Sequence, residues 1–188
     1  MPKLNIIIAS TRPGRVGPTV AKWFHEYALS LDSGFDIELV DLADFNLPVF
    51  NEPNHPVRQQ YVHDHTKKWA ESVDSADAFV FVTPEYDFGT PPSLLNALIY
   101  LLHEWSYKPV GFVSYGGMSG GIRSVQMTKQ VLNTLKLVPL QEAVTIPYLS
   151  TLIDDSGVFA ATETIEKSAV TMLNELLRWS AALKTLRK

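Results

Sequence analysis

Two unbroken apolar runs, Ile6-Ile7-Ile8 and Phe79-Val80-Phe81-Val82, constrain this chain more than any other feature. A strand with one wet face alternates apolar and polar residues, and a strand covered on both faces does not. These runs therefore belong to a parallel sheet buried between two helical layers. Three more segments rich in β-branched and aromatic residues complete a set of predicted strands at 4–9, 36–41, 78–83, 109–114 and 142–146. Helical patterns separate them. Val20, Phe24, Tyr27 and Leu31 fall at spacings of four and three on a helix entered through Gly17-Pro18, with proline suited to a first turn. Further helices are expected from about Arg58 to Val73, Pro92 to Trp105, Gly121 to Leu137 and Ala161 to Leu186. Nothing inside the chain is polar or repetitive enough to divide it, so the β-α alternation predicts one doubly wound, three-layer α/β domain over 1–188, with five parallel strands in the order 2-1-3-4-5.

Composition narrows the chemistry. The absence of cysteine excludes disulfides, thiolate metal sites, Fe–S clusters and cysteine nucleophiles, so any redox chemistry belongs to a bound cofactor. A net charge of −4 without a basic run argues against nucleic acid or an anionic membrane as partner and favours a small molecule. No apolar run approaches the roughly 18 residues of a membrane span. Met1-Pro2-Lys3-Leu4 leads straight into an apolar segment with no small-residue cleavage site behind it, so a cytoplasmic protein is expected.

Doubly wound folds bind ligands beyond the carboxyl ends of their strands, which directs attention to the loops after strands one, three and four. The first, Ser10 to Gly17, brings two hydroxyls, two guanidinium groups and two glycines to a helix N-terminus, where free amides and the helix dipole favour an anion. It has neither the Walker spacing nor the Gly-x-Gly-x-x-Gly turn. Ser10 and Arg12 are the foremost phosphate candidates; Arg15 could equally face solvent, and the whole loop could be an ordinary polar connection. The second loop, Thr83 to Pro92, holds Tyr86 and Phe88 between prolines and Gly89, a rigid turn suited to a flat ring or simply to local packing. Asp87 stands out there, because a carboxylate beside an electron-accepting ring opposes its reduction. The third, Ser114 to Gly121, has four glycines in which backbone can approach a ligand closely or merely flex.

Other constellations carry less. His63 and His65 flank Asp64 on what reads as the polar face of the second helix, His103-Glu104 lacks the second histidine of a zinc-protease helix, and no Gly-x-Ser-x-Gly elbow exists.

Taken together, Ser10-Thr11-Arg12-Pro13-Gly14-Arg15, Thr83-Pro84-Glu85-Tyr86 with Pro91, Leu94 and Asn96-Ala97-Leu98, and Lys108-Pro109-Val110 through Ser114-Tyr115-Gly116-Gly117 and Gly120-Gly121 resemble the NADPH-dependent FMN reductase family, which includes quinone, chromate and azo-dye reductases. The resemblance covers nearly the whole chain. It implies a flavodoxin-like fold and non-covalent FMN, its phosphate held by Ser10, Arg12, Arg15 and Gly17, its isoalloxazine lined by Pro84, Glu85, Tyr86 and Asp87, with Ser114, Gly116 and Gly117 at the other edge. It also implies NADPH or NADH as electron donor, a small acceptor such as free flavin or a quinone, and a homodimer or dimer of dimers with flavin near the subunit boundary. The cofactor carries the chemistry in such enzymes, so no catalytic side chain is assigned.

Three positions depart from the usual family pattern: Asp87 replaces asparagine, Leu95 lysine and Ile99 aspartate. Leu94, Leu98, Leu101 and Trp105 form one helical stripe, and Leu95, Ile99 and Leu102 form a second beside it. The sheet covers only one stripe, so the second is expected to meet a partner subunit. Two rivals share the fold: a flavodoxin-type electron carrier without nicotinamide turnover, and a flavin-less scaffold.

Overall fold

A computed structural model describes residues 1–187. Five parallel strands form one sheet in the order β2-β1-β3-β4-β5: β1 Lys3–Ile8, β2 Asp36–Asp41, β3 Ala78–Pro84, β4 Pro109–Tyr115 and β5 Val138–Ile146. Both β3 and β4 are buried along their whole length, as their unbroken apolar sequences require. Neighbouring residues of β1 feed opposite faces. Leu4, Ile6 and Ile8 pack beneath α1 (Gly17–Ser30) and α5 (Glu163–Lys184), while Ile7 joins the core under α2 (Asp64–Ser75), α3 (Pro92–Ile99) and α4 (Ile122–Thr134).

Two helices are shorter than their periodicity predicts. The expected start of α2 at Arg58 gives way to a 3-10 turn over Pro56–Arg58, a left-handed Gln59 and an extended link. The buried Glu52 carboxylate fixes that link by accepting the amides of Val62 and His63 at 2.8 and 3.1 Å. Burial raises the Glu52 pKa, but these bonds outweigh it and leave the carboxyl below its ordinary value. His63 therefore sits at the N-cap of α2, its ring stacked on His65 at 5.1 Å. The third helix stops at Ile99 and resumes only as a 3-10 turn over His103–Trp105. Indole N–H groups of Trp69 and Trp105 take the carbonyls of Ala97 and Leu98, replacing bonds that a longer helix would make. In the other direction, β5 begins four residues before its expected start, because Val138 already pairs with Pro109 of β4.

Candidate active site at the carboxyl edge of the sheet

Register places the three loops together: Ile8 pairs with Val82, Thr83 with Ser114 and Pro84 with Tyr115, so the strands release their chains along one edge. Side-chain bonds then join the loops, with Tyr115 Oη reaching Ser10 Oγ, and Glu85 reaching Ser119 and Arg123.

The first loop enters α1 through Val16, with Pro18 in the first turn and no side-chain cap. Among the described residues, the amides of Thr11, Arg12, Gly14, Val16 and Gly17 have no protein partner. Five unpaired donors beside a helix N-terminus fit a dianionic phosphate. Arg12 is exposed, and its guanidinium reaches only the Pro13 carbonyl beside it. Arg15 is committed elsewhere: Nη1 donates to the Ser10 carbonyl at 2.8 Å, and Nη2 pairs with Asp41 at the end of β2. It is a strut for the loop, and it neutralises a carboxylate that would otherwise repel an anion. Ser10 is fully buried, and its hydroxyl points beneath the loop.

Pro84 closes β3 and is buried. Tyr86 and Gly89 exchange backbone hydrogen bonds around Asp87 and Phe88, which carry φ of 45° and 68°: a two-residue type I′ turn with both central side chains exposed. Glu85 turns away from that turn. Its carboxylate accepts Ser119 Oγ at 2.9 Å and Arg123 Nε at 2.7 Å, and the Arg123 guanidinium lies 3.7 Å from the centre of the Phe88 ring. Burial raises the Glu85 pKa, and the Arg123 and Ser119 bonds overcome this to hold it below the usual range. Glu85 thus clamps the second loop to the third.

In the third loop Ser114 is buried and donates to the Gly120 carbonyl at 2.8 Å. Gly120 and Gly121 have φ of 59° and 86°, and a Cβ on either would fall within 3 Å of its surroundings, so the turn itself demands them. Gly117 differs: it is exposed, and a Cβ there would meet nothing within 4 Å. Open space over a glycine at this sheet edge fits the edge of a planar ring. Of the expected site residues, Arg12, Asp87 and Gly117 are exposed along this edge, Tyr86 and Gly116 are half-buried, and Gly17 is buried at the helix start; Ser10, Arg15, Pro84, Glu85 and Ser114 have their side chains packed or bonded within the loops. Sequence reasoning missed Arg123, which lies inside α4 outside every loop, and Tyr115, whose role needs a neighbour from loop one.

A groove of about 690 Å³ lies beside this mouth, lined by Thr11, Leu42, Leu47, Val49, Leu95 and Ile99. Neither the Tyr86 turn nor Gly117 lines it. Leu94 and Leu98 of the first α3 stripe are buried, whereas Ile99 of the second is 44% exposed.

The model of the NADPH-dependent FMN reductase family matches residues 2–150. An NAD(P)H-dependent FMN reductase of Schizosaccharomyces pombe is 43% identical over 150 residues, covering 78% of this chain and 74% of that protein. A quinone reductase of Pseudomonas putida is 31% identical over 160 residues, covering 81% of each. Among solved structures, the flavoenzyme NAD(P)H:(acceptor) oxidoreductase FerB of Paracoccus denitrificans superposes with a TM-score of 0.74 at 16% identity, covering 97% of this chain and 98% of that one.

Proposed function

This chain belongs to the NADPH-dependent FMN reductase family, and from that premise we propose that its three loops form the flavin site of an NAD(P)H-dependent oxidoreductase acting on a flavin or quinone acceptor. The observation that carries the site assignment is the row of unpaired amides at the start of α1, on the same sheet edge as the Tyr86 turn and Gly117. FMN, when bound, supplies the redox chemistry by accepting hydride from the reduced nicotinamide and passing electrons to the acceptor.

The chain's own residues bind and orient. The free amides of Thr11, Arg12, Gly14, Val16 and Gly17 and the Arg12 side chain would hold the phosphate, with Arg15 fixing the loop against Asp41. Tyr86 and the exposed Phe88 offer flat contacts at one edge of the ring; at the other, Gly116 is bonded to Ile146 and Leu149, and the free Gly117 amide is the backbone donor that would face the ring. The Glu85–Arg123 clamp sets the spacing between those edges. No side chain is assigned a proton-transfer role: with Arg12, Asp87 and Gly117 exposed, the mouth is open to solvent, which would supply the proton that the acceptor takes up with the hydride.

The exposed Ile99 and half-buried Leu95 belong in this reading to a homodimer or dimer of dimers whose boundary runs along the groove next to Thr11. A cytoplasmic location is part of the same reading; no helix among the described residues is long and apolar enough to cross a membrane.

The test is the visible spectrum of the purified protein with FMN, then with NADPH added under argon. A bound flavin band that bleaches rapidly is expected. A flavin band inert to NADPH and NADH would favour a flavodoxin-type carrier, and a protein that takes up no FMN would leave only the scaffold.

A further inference from the structure

We propose that the buried hydroxyl of Tyr115, acting through Ser10, is a positioning group that fixes the floor of the phosphate loop and adds to the site's preference for FMN over riboflavin, its dephosphorylated form. This rests on the FMN reading above.

Tyr115 is the last residue of β4 and is only 4% exposed. Its ring passes beneath the first loop, and Oη lies 3.5 Å from Oγ of the fully buried Ser10. Directly above both is Gly17, the first residue of α1. A Cβ at Gly17 would fall 2.3 Å from Ser10 Oγ, 2.8 Å from Tyr115 Oη and 3.2 Å from Ile8 Cγ2. Two hydroxyls brought from two different strand ends thus fill the volume that a side chain at position 17 would take. The helix start rests on this layer.

The hydrogen-bond inventory gives the layer a direction. Two hydroxyls carry two protons, yet among the described residues their side-chain oxygens share one long contact. Burial pushes the Tyr115 phenol up to about 12, so at neutral pH it stays a donor. With the phenol donating to Ser10 Oγ, the serine proton is free to point toward the loop amides and an anion among them. The Ser10 carbonyl is pinned independently by Arg15. Ser10 is therefore held at both of its oxygens, and only the Tyr115 hold bears on its hydroxyl. Deleting the phenolic oxygen keeps the ring and the packing but lets that hydroxyl turn away.

Riboflavin separates this role from general packing, because it shares the ring and sugar chain of FMN and places nothing in the phosphate loop. Binding is read by quenching of flavin fluorescence for both ligands, in the parent and in Tyr115→Phe. The expected result is an FMN dissociation constant raised about five- to tenfold, the scale of one hydrogen bond, with riboflavin binding unchanged. Ser10→Ala is expected to lose the same factor, and the double variant no more than either, since the two groups act in series. Equal losses for FMN and riboflavin, or no loss in either single variant, would overturn the proposal. A parent protein that binds riboflavin as tightly as FMN would overturn it by removing phosphate from the loop, and one that binds neither would overturn the flavin reading itself.

Discussion

Asp87 and Phe88 occupy left-handed backbone, which aspartate tolerates and phenylalanine rarely adopts, so the type I′ turn needs outside support. Arg123 supplies it by placing its guanidinium 3.7 Å from the centre of the Phe88 ring while holding Glu85. Replacing Asp87 by asparagine, which favours the same conformation, removes a negative charge from the ring's expected edge without disturbing the turn. The midpoint potential of bound FMN in Asp87→Asn, measured by dye equilibration, is expected to rise on the order of tens of millivolts. An unchanged potential would mean that the carboxylate lies too far from the ring to act on it. The sign of this effect is legible in the sequence, since it follows from charge alone. The opposite is true of Glu85. The family resemblance implies that it lines the ring, and its bonds to Ser119 and Arg123 show that the side chain is engaged between the loops.

The elements are held at their ends by side chains from distant strands. Lys108, 4% exposed just before β4, donates Nζ to the Val73 and Asp74 carbonyls at 2.9 Å each and so closes the C-terminal end of α2. Burial pulls its pKa down to about 8, against an ordinary value of 10.5. Between those two values the unfolded chain holds a proton that the folded one has released, so the stability arising at this site rises with pH across that window. Lys108→Met is expected to lower stability by about 1–3 kcal/mol at neutral pH, as two carbonyls lose their donor. The gap between parent and variant, measured by urea unfolding at several pH values, should then widen from about pH 8 upward. A gap that narrows would show that the ammonium gains more from the helix end than burial costs it. Periodicity places the helices, yet the shortening of α2 and α3 was hidden because Glu52, Trp69 and Trp105 act through tertiary bonds.

At the scale of the whole molecule, the sheet buries one α3 stripe and leaves Leu95 and Ile99 on the wall of an open groove. Both positions present hydrocarbon to that groove, so water contact there is unfavourable and a second copy is the expected cover. Light scattering at micromolar concentration is expected to show a dimer or larger, and Ile99→Asp to weaken association at least about tenfold. A monomeric parent would rule this interface out. The strand set, its covered faces and the loops that meet at the carboxyl edge were determined by the sequence itself, because apolar periodicity and glycine placement are local properties that any short window displays. What only the tertiary structure decided is which polar groups face the mouth and which stand behind it. Glu85 meets Arg123 across 38 residues, and Tyr115 meets Ser10 across 105. Hydrogen bonds of that span depend on strand order and register, which bring together side chains that no local pattern pairs.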